Sequence, residues 1–377
     1  MHRFPVASAH GAPVDTLLAR CLEALPTPAA PAPLGLIYAN EALAAELPAI
    51  LRRLCAATPD THWCGALGPG VIAGGCEYYE EPALSLMLCP LPREQLAPLP
   101  QLLPGQEGGL SALRRWHARQ PGGMALVHGD ARDAQTPALL EALAAELPQV
   151  VINGALAGAQ AQQPLISGGP RDGGIGGALF RADAALLYDL SQGCARIGPI
   201  HEITRARHNL AIELDGRPAL EVMLEDIGEV LARDLRRIAG YIFAGLPIDD
   251  EGGGERDGDY LVRNLMGIDQ QQQVLAVGES LQRHRRLMFC RRDGNSARED
   301  LHAMCLRLRQ RLAGRSIRGG VYISCIGRGR HQFGPNSAEL SIIRATLGDF
   351  PLTGLFANGE IYRGRLYAYT GTLTLFC

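Results

Sequence analysis

The sequence reads as an α/β (α+β) protein of two domains whose mixed β-sheets are covered by helices. Three observations lead there: a strand–helix–strand pattern that occurs twice in the first half, a series of alternating strand-like segments in the second, and a composition able to fill a large core. The chain of 377 residues is 47% hydrophobic and 20% charged, which suits more than one domain. Its net charge of -3 provides no general field for nucleic acid or an anionic membrane, so any phosphate-like partner must be met locally. No apolar run approaches the roughly 18 residues needed to cross a bilayer. The opening "MHRFPVASAHGAPVD" lacks the apolar stretch of a signal peptide. The expectation is a cytoplasmic protein without nucleic-acid binding or membrane insertion.

The repeat is visible when the chain is slid by 89 residues: "PAILRRLCAATPDTHWCGAL" (48–67) then matches "PALLEALAAELPQVVINGAL" (137–156) at nine positions without a gap. Each copy follows an apolar strand, "GLIYA" or "MALVH", and each closes on Gly-Ala-Leu, expected as a turn at Gly65 and Gly154. In the second copy Thr136 precedes Pro137, an N-cap before a proline at the first helical position. Leu139, Leu140, Leu143 and Leu147 fall on one face of that helix. The N-terminal domain, residues 1–205, is therefore expected to duplicate a βαβ-like unit near 35–90 and 124–181. Short strands in the glycine-rich segments after each copy are expected to extend the sheet.

The second domain is expected over 206–377. "GCARIGPIHEITRARHNLAIELDGRPAL" alternates apolar and polar residues and turns at Asp215-Gly216, as a hairpin does. Helices are expected at roughly 219–244, then an acidic, glycine-rich loop, "PIDDEGGGERDGD". "YLVRNLMGID" and "RLMFCRRD" read as strands, and "SAREDLHAMCLRLRQRL" as a helix capped by Ser296 with Glu299 at the capping-box position. The alternating "GRLYAYTGTLTLF" reads as a final strand. The ten cysteines contain no CxxC, so neither a zinc knuckle nor a thioredoxin-type pair is written here.

"QGCARIG", "ELDGRPALEV", "DYLVRNLMGID", "SCIGRG" and "PLTGLFANGEI" followed by "YTGTLTL" resemble successive blocks of the FIST family over nearly the whole chain. That resemblance implies a bacterial sensory or signal-transduction module that binds small ligands such as amino acids, alone or beside a signalling partner. Relatives with an F-box act as adaptors, and some stand-alone relatives are haem-binding nitric-oxide sensors. This chain carries "WCGALGPGVIAGG" where many sensor-type members carry a Gly-Cys-Thr-Thr-Ala-Gly-Glu-like block, a departure from the haem-binding pattern.

The candidate ligand site lies in the C-terminal motifs. An apolar strand ending at Cys325 delivers Gly327-Arg328-Gly329-Arg330. Glycine amides around Arg328 can form an anion nest while its guanidinium grips a carboxylate or phosphate. The alternative is a glycine turn with Arg328 in solvent. Asn358-Gly359 marks a tight turn before Glu360, which can accept a ligand ammonium, pair with Arg328, or stand on the surface. Arg263, Asn264 and Arg292, with Asp293, form a second polar set at strand ends, to be read as ligand contacts or as sheet caps.

Cys325 is a candidate reactive thiol with His331 as its base, but no paired carboxylates, Ser-His-Asp set, Walker loop or HExxH accompanies it. The reading is a non-enzymatic, ligand-binding signalling protein with a partner protein. The alternatives are an adaptor without ligand, a haem-based sensor, and a cysteine-dependent enzyme or redox sensor. The cofactor and the oligomeric state are left unassigned.

Overall fold

The computed structural model describes residues 2–25, 31–105, 110–119, 121–158, 160–228, 238, 240–248 and 259–377. Packing divides the chain into one unit of Met1–Ser191 with Arg298–Cys377 and a second of Gln192–Ala297. This is not a contiguous division near residue 205, because the strands after Arg298 complete sheets begun before Ser191.

The first unit contains three six-stranded mixed sheets on one plan. At the centre of each is a parallel strand pair joined by a helix. In the first sheet these are Leu34–Asn40, Leu47–Ala57 and His62–Gly68. In the second they are Met124–Gly129, Thr136–Glu146 and Val151–Leu156. In the third they are Gly319–Cys325, Ala338–Leu347 and Leu352–Ala357, a recurrence that the sequence comparison did not find.

Beside each pair runs an antiparallel strand and then an outer one. These are Ala83–Cys89 with Val6–His10, Ile175–Phe180 with Leu96–Leu102, and Gly371–Phe376 with Leu186–Ser191. On the other side sits a hairpin taken from a different part of the chain. The hairpin after His62–Gly68 (Gly70–Ala73, Cys76–Tyr78) joins the third sheet. The one after Val151–Leu156 (Leu165–Ser167, Pro170–Arg171) joins the first, and the one after Leu352–Ala357 (Gly359–Tyr362, Arg365–Tyr367) joins the second. The exchange is cyclic.

Residues 48–67 and 137–156 both run helix then strand, but Gly65 and Gly154 lie inside strands rather than in turns. A Cβ at Gly65, Gly154 or Gly354 would lie 1.8, 1.7 or 1.7 Å from the carbonyl oxygen of Ile37, Val127 or Tyr322 on the neighbouring parallel strand. Only glycine allows that approach. The inner faces meet in one buried cluster that includes Leu36, Leu126 and Ile323. On the outer faces the helices bury Ile50 and Leu54 in one sheet layer, Leu140 and Leu143 in another. Each such side chain contributes roughly 1.5–3 kcal/mol on burial.

The second unit is a closed barrel. Its strands run Cys194–Arg207, Arg286–Arg292, Ile242–Pro247, Tyr260–Asp269, Val274–Val277 and Leu210–Leu214, and the last pairs back to the first. The expected hairpin is present, with Asp215 and Gly216 both at positive φ. His201 on the long strand is bridged by two carboxylates, Nδ1 to Asp215 at 2.6 Å and Nε2 to Asp226 at 2.8 Å.

Three expectations need correction. The helix from Ala219 ends at Ile227, residues 229–237 and 239 lie outside the described residues, and residues 242–244 are strand, with Ile242, Phe243 and Ala244 all buried. Asp293, not Ser296, caps the helix Gly294–Leu312: its carboxylate accepts from the Asn295 amide and the Ser296 hydroxyl, leaving Ser296 inside the first turn. Thr136 is the first helical residue, and its hydroxyl donates to the Asp130 carbonyl instead of capping. The acidic loop over 249–258 lies outside the described residues.

Candidate functional site

Strand Gly319–Cys325 is buried throughout and leads into a turn followed by the short 3-10 segment Gly329–His331. Gly329 has φ +51, and a Cβ there would fall 1.9 Å from the Tyr79 hydroxyl, so this position requires glycine. The turn sends the Arg328 side chain inward, where it is fully buried.

Its partner is Glu339, which occupies the core-facing side of helix Ala338–Leu347 with Leu340 and Ile343. Arg328 Nε donates to Glu339 Oε1 at 2.8 Å, and both side chains are 0% exposed. Glu339 also accepts from the Tyr322 hydroxyl at 2.6 Å, the Ser324 hydroxyl at 3.1 Å and the Gly329 amide at 2.9 Å. The guanidinium donates further to the Ser191 hydroxyl at 3.2 Å and lies 4.9 Å from the Phe333 ring centroid. One guanidinium nitrogen and one glycine amide of this turn therefore grip a carboxylate, and that carboxylate is the protein's own rather than a ligand's. Burial works against the Arg328 charge, but Glu339 and Tyr322 more than offset it and hold the guanidinium protonated more firmly than usual.

Glu360 lies within strand Gly359–Tyr362 and is also fully buried. It does not pair with Arg328. Its Oε2 accepts from the Thr370 amide at 3.1 Å and the Thr370 hydroxyl at 2.7 Å, while Oε1 has no hydrogen-bond partner. Burial pushes this carboxyl up to about 8; Thr370 and the nearby charge of Arg328 relieve that only in part, and Glu339 adds to it. Glu339, Arg328 and Glu360 thus form one electrostatic group.

Asn358 stands where the chain crosses from the third sheet to the second, not in a hairpin turn. Its Nδ2 donates to the Ala157 carbonyl at 3.0 Å, and Gly359 packs against Leu156. Gly327 keeps close to the Tyr369 ring.

Cys325 is buried beside this group. Burial, then the Glu360 charge, push its thiol up to about 12, so it stays protonated at neutral pH. His331 is exposed, with its ring toward Tyr79.

The sequence reading missed Glu77 and Tyr79. The Tyr79 hydroxyl donates to Glu77 Oε2 at 2.8 Å and accepts from the Arg330 amide at 3.3 Å, while Glu77 Oε1 is buried without a partner. Burial raises the Glu77 carboxyl to about 7. Their signal was the acidic-aromatic run "EYYEE" just after a glycine turn.

The second polar set belongs to the barrel. Arg263 lies inside strand Tyr260–Asp269 rather than at its end, and its Nε donates to Glu279 Oε2 at 2.9 Å. Asn264 is exposed and its carbonyl accepts from the Gly278 amide at 2.9 Å. Arg292 closes its strand, with its amide donating to the Tyr241 carbonyl at 3.0 Å.

Among the described residues no group of three or more His, Cys, Asp or Glu side chains gathers in a metal-holding arrangement. The buried thiols of Cys64 and Cys325 are both pushed up to about 12 by burial, so both stay protonated at neutral pH. No described helix is long and apolar enough to cross a membrane.

The model of the FIST N domain matches residues 33–217, and that of the FIST C domain matches residues 219–363. The boundary between the two matches falls within the Gln192–Ala297 unit. An uncharacterized Mycobacterium tuberculosis protein is 28% identical over 330 residues, covering 83% of this chain and 82% of its own length. An uncharacterized Mycobacterium bovis protein is 35% identical over 192 residues, covering 50% of this chain and 49% of its own.

Proposed function

Because this chain belongs to the FIST family, with the N and C domains in order, we propose that it is a sensory protein of signal transduction that binds a small amino-acid-like molecule and reports occupancy to a partner protein. The observation that supports this reading is Glu360, a buried carboxyl with one oxygen unpartnered and a proton held to about 8. A ligand ammonium can take the place of that proton, and the exchange turns a neutral buried acid into half of an ion pair. Arg328 serves by pairing with the Glu339 carboxylate, whose charge otherwise acts on Glu360, while Asn358 and Gly359 lead the chain into the Glu360 strand. Access requires the 326–331 loop or the Gly359–Tyr367 hairpin to open, since Glu360 is 0% exposed.

The test is calorimetric titration with the common amino acids in two buffers of different ionisation enthalpy. Binding at Glu360 releases a proton near neutral pH, so the apparent enthalpy should differ between buffers by that proton's transfer. Glu360→Gln should lose both the affinity and the buffer dependence. Saturable binding with unchanged affinity in Glu360→Gln would refute the assignment.

A further inference from the structure

The cyclic exchange of hairpins creates three equivalent seams in the first unit, each where the hairpin at the edge of one sheet meets the outer strand of another. Two of them are closed by ring pairs. At the seam of Cys76–Tyr78 and Val6–His10, the His10 and Tyr78 rings stack with centroids 4.3 Å apart. At the seam of Gly359–Tyr362 and Leu186–Ser191, the Tyr188 and Tyr362 rings meet edge to face at 6.5 Å.

The third seam, between the Leu165–Arg171 hairpin and Leu96–Leu102, is open. It holds a cavity of about 460 Å³, within the range of small-molecule sites. Pro98 and Pro100 form an apolar wall, and Gln101 and Ser167 add polar groups. His62 Nε2 is buried there without a hydrogen-bond partner. The Arg171 guanidinium is exposed and makes no ion pair or hydrogen bond among the described residues, whereas the neighbouring Asp172 is paired with Arg132. Burial, then the Arg171 charge, hold the His62 imidazole below its ordinary range, so the ring is neutral at pH 7. The cavity thus faces its occupant with one formal positive charge and one neutral ring nitrogen.

We propose that this open seam binds a small organic monoanion, its carboxylate held by Arg171 and His62 and its apolar body against Pro98 and Pro100. A single guanidinium balances a single negative charge, while a dianion would leave one charge uncompensated in a partly desolvated seam. Where its two sister seams use an aromatic pair, this one has prolines and a glycine, which leaves the space for a ligand ring.

The probe is benzoate, followed by the ring resonances of His62 and by calorimetry, with benzylamine and inorganic phosphate as charge controls. Benzoate should give saturable His62 shifts, and Arg171→Gln should weaken binding by at least about tenfold, the scale of one charge-assisted contact. Arg171→Lys should recover part of the loss. Because Arg171 is exposed, the thermal midpoint should be unchanged in both variants. The proposal is overturned if benzoate fails to saturate, if Arg171→Gln binds it equally, or if benzylamine or phosphate binds as tightly as benzoate.

Discussion

Arg328→Ala is expected to cost stability first and foremost. The guanidinium is 0% exposed and bonded to a 0% exposed carboxylate at 2.8 Å, so its removal leaves Glu339 charged, buried and short of its strongest donor. Breaking a buried pair from one side costs roughly 3–5 kcal/mol, a large part of the stability of an ordinary domain. The remaining donors, Tyr322, Ser324 and the Gly329 amide, soften that loss without balancing the charge. Replacing both partners with apolar residues, Arg328→Met with Glu339→Leu, should recover much of it, because no charge is then stranded. Urea unfolding followed by tryptophan fluorescence suits the measurement, since both tryptophans, Trp63 and Trp116, lie in the first unit and do not report the barrel. A loss below about 1 kcal/mol for Arg328→Ala, or a double variant no better than the single one, would refute the view of this pair as a buried structural bond.

Glu360 has a raised pKa in the fold, so the stability associated with its proton is complete below the ordinary carboxyl range and is lost as pH rises toward about 8. Glu360→Gln, which mimics the protonated acid, should flatten that decline in a series of unfolding midpoints from roughly pH 5 to pH 8.5. In the barrel, burial disfavours a charged His201, but Asp215 and Asp226 outweigh it and raise its pKa. Its contribution is therefore present below the ordinary imidazole range and lost at higher pH, and His201→Ala should remove that slope in hydrogen exchange of the barrel strands. Gly354→Ala places a methyl 1.7 Å from the Tyr322 carbonyl and should destabilise the first unit by several kcal/mol, as should Gly154→Ala; a near-neutral midpoint shift in either would contradict the strand packing.

Local pattern made some elements legible. The Leu139, Leu140 and Leu143 face, the Asp215-Gly216 turn and the apolar strand ending at Cys325 all appear as expected, because each rests on a few neighbouring residues. The third parallel pair stayed hidden because its outer strand, Leu186–Ser191, is separated from its remaining elements by the whole barrel, and its register glycine, Gly354, has no matching run around it. At the site, Arg328 with its glycines was read as a grip on a ligand's acid group, whereas the carboxylate bonded to it is Glu339. The identity of that carboxylate depended on Glu339, a charged residue at a core-facing helix position eleven residues on; Glu360 was the more conspicuous choice. Both are fully buried; what separated them is which one the packing of helix Ala338–Leu347 brings against Arg328, and that is a property of the tertiary fold.

The borrowed hairpins also set the order in which this protein can be completed. Residues 70–78 emerge early from the ribosome, yet the strand they pair with, Leu352–Ala357, is made only after the whole barrel. The barrel in between is contiguous and can close as soon as its own strands are out. The first unit must wait with an unpaired edge, the circumstance in which nascent chains recruit chaperones or aggregate. Its pairings span most of the sequence, so refolding should be slow for its size, and a break in synthesis before residue 352 should leave the second and third sheets unfinished although every strand of the first has been made.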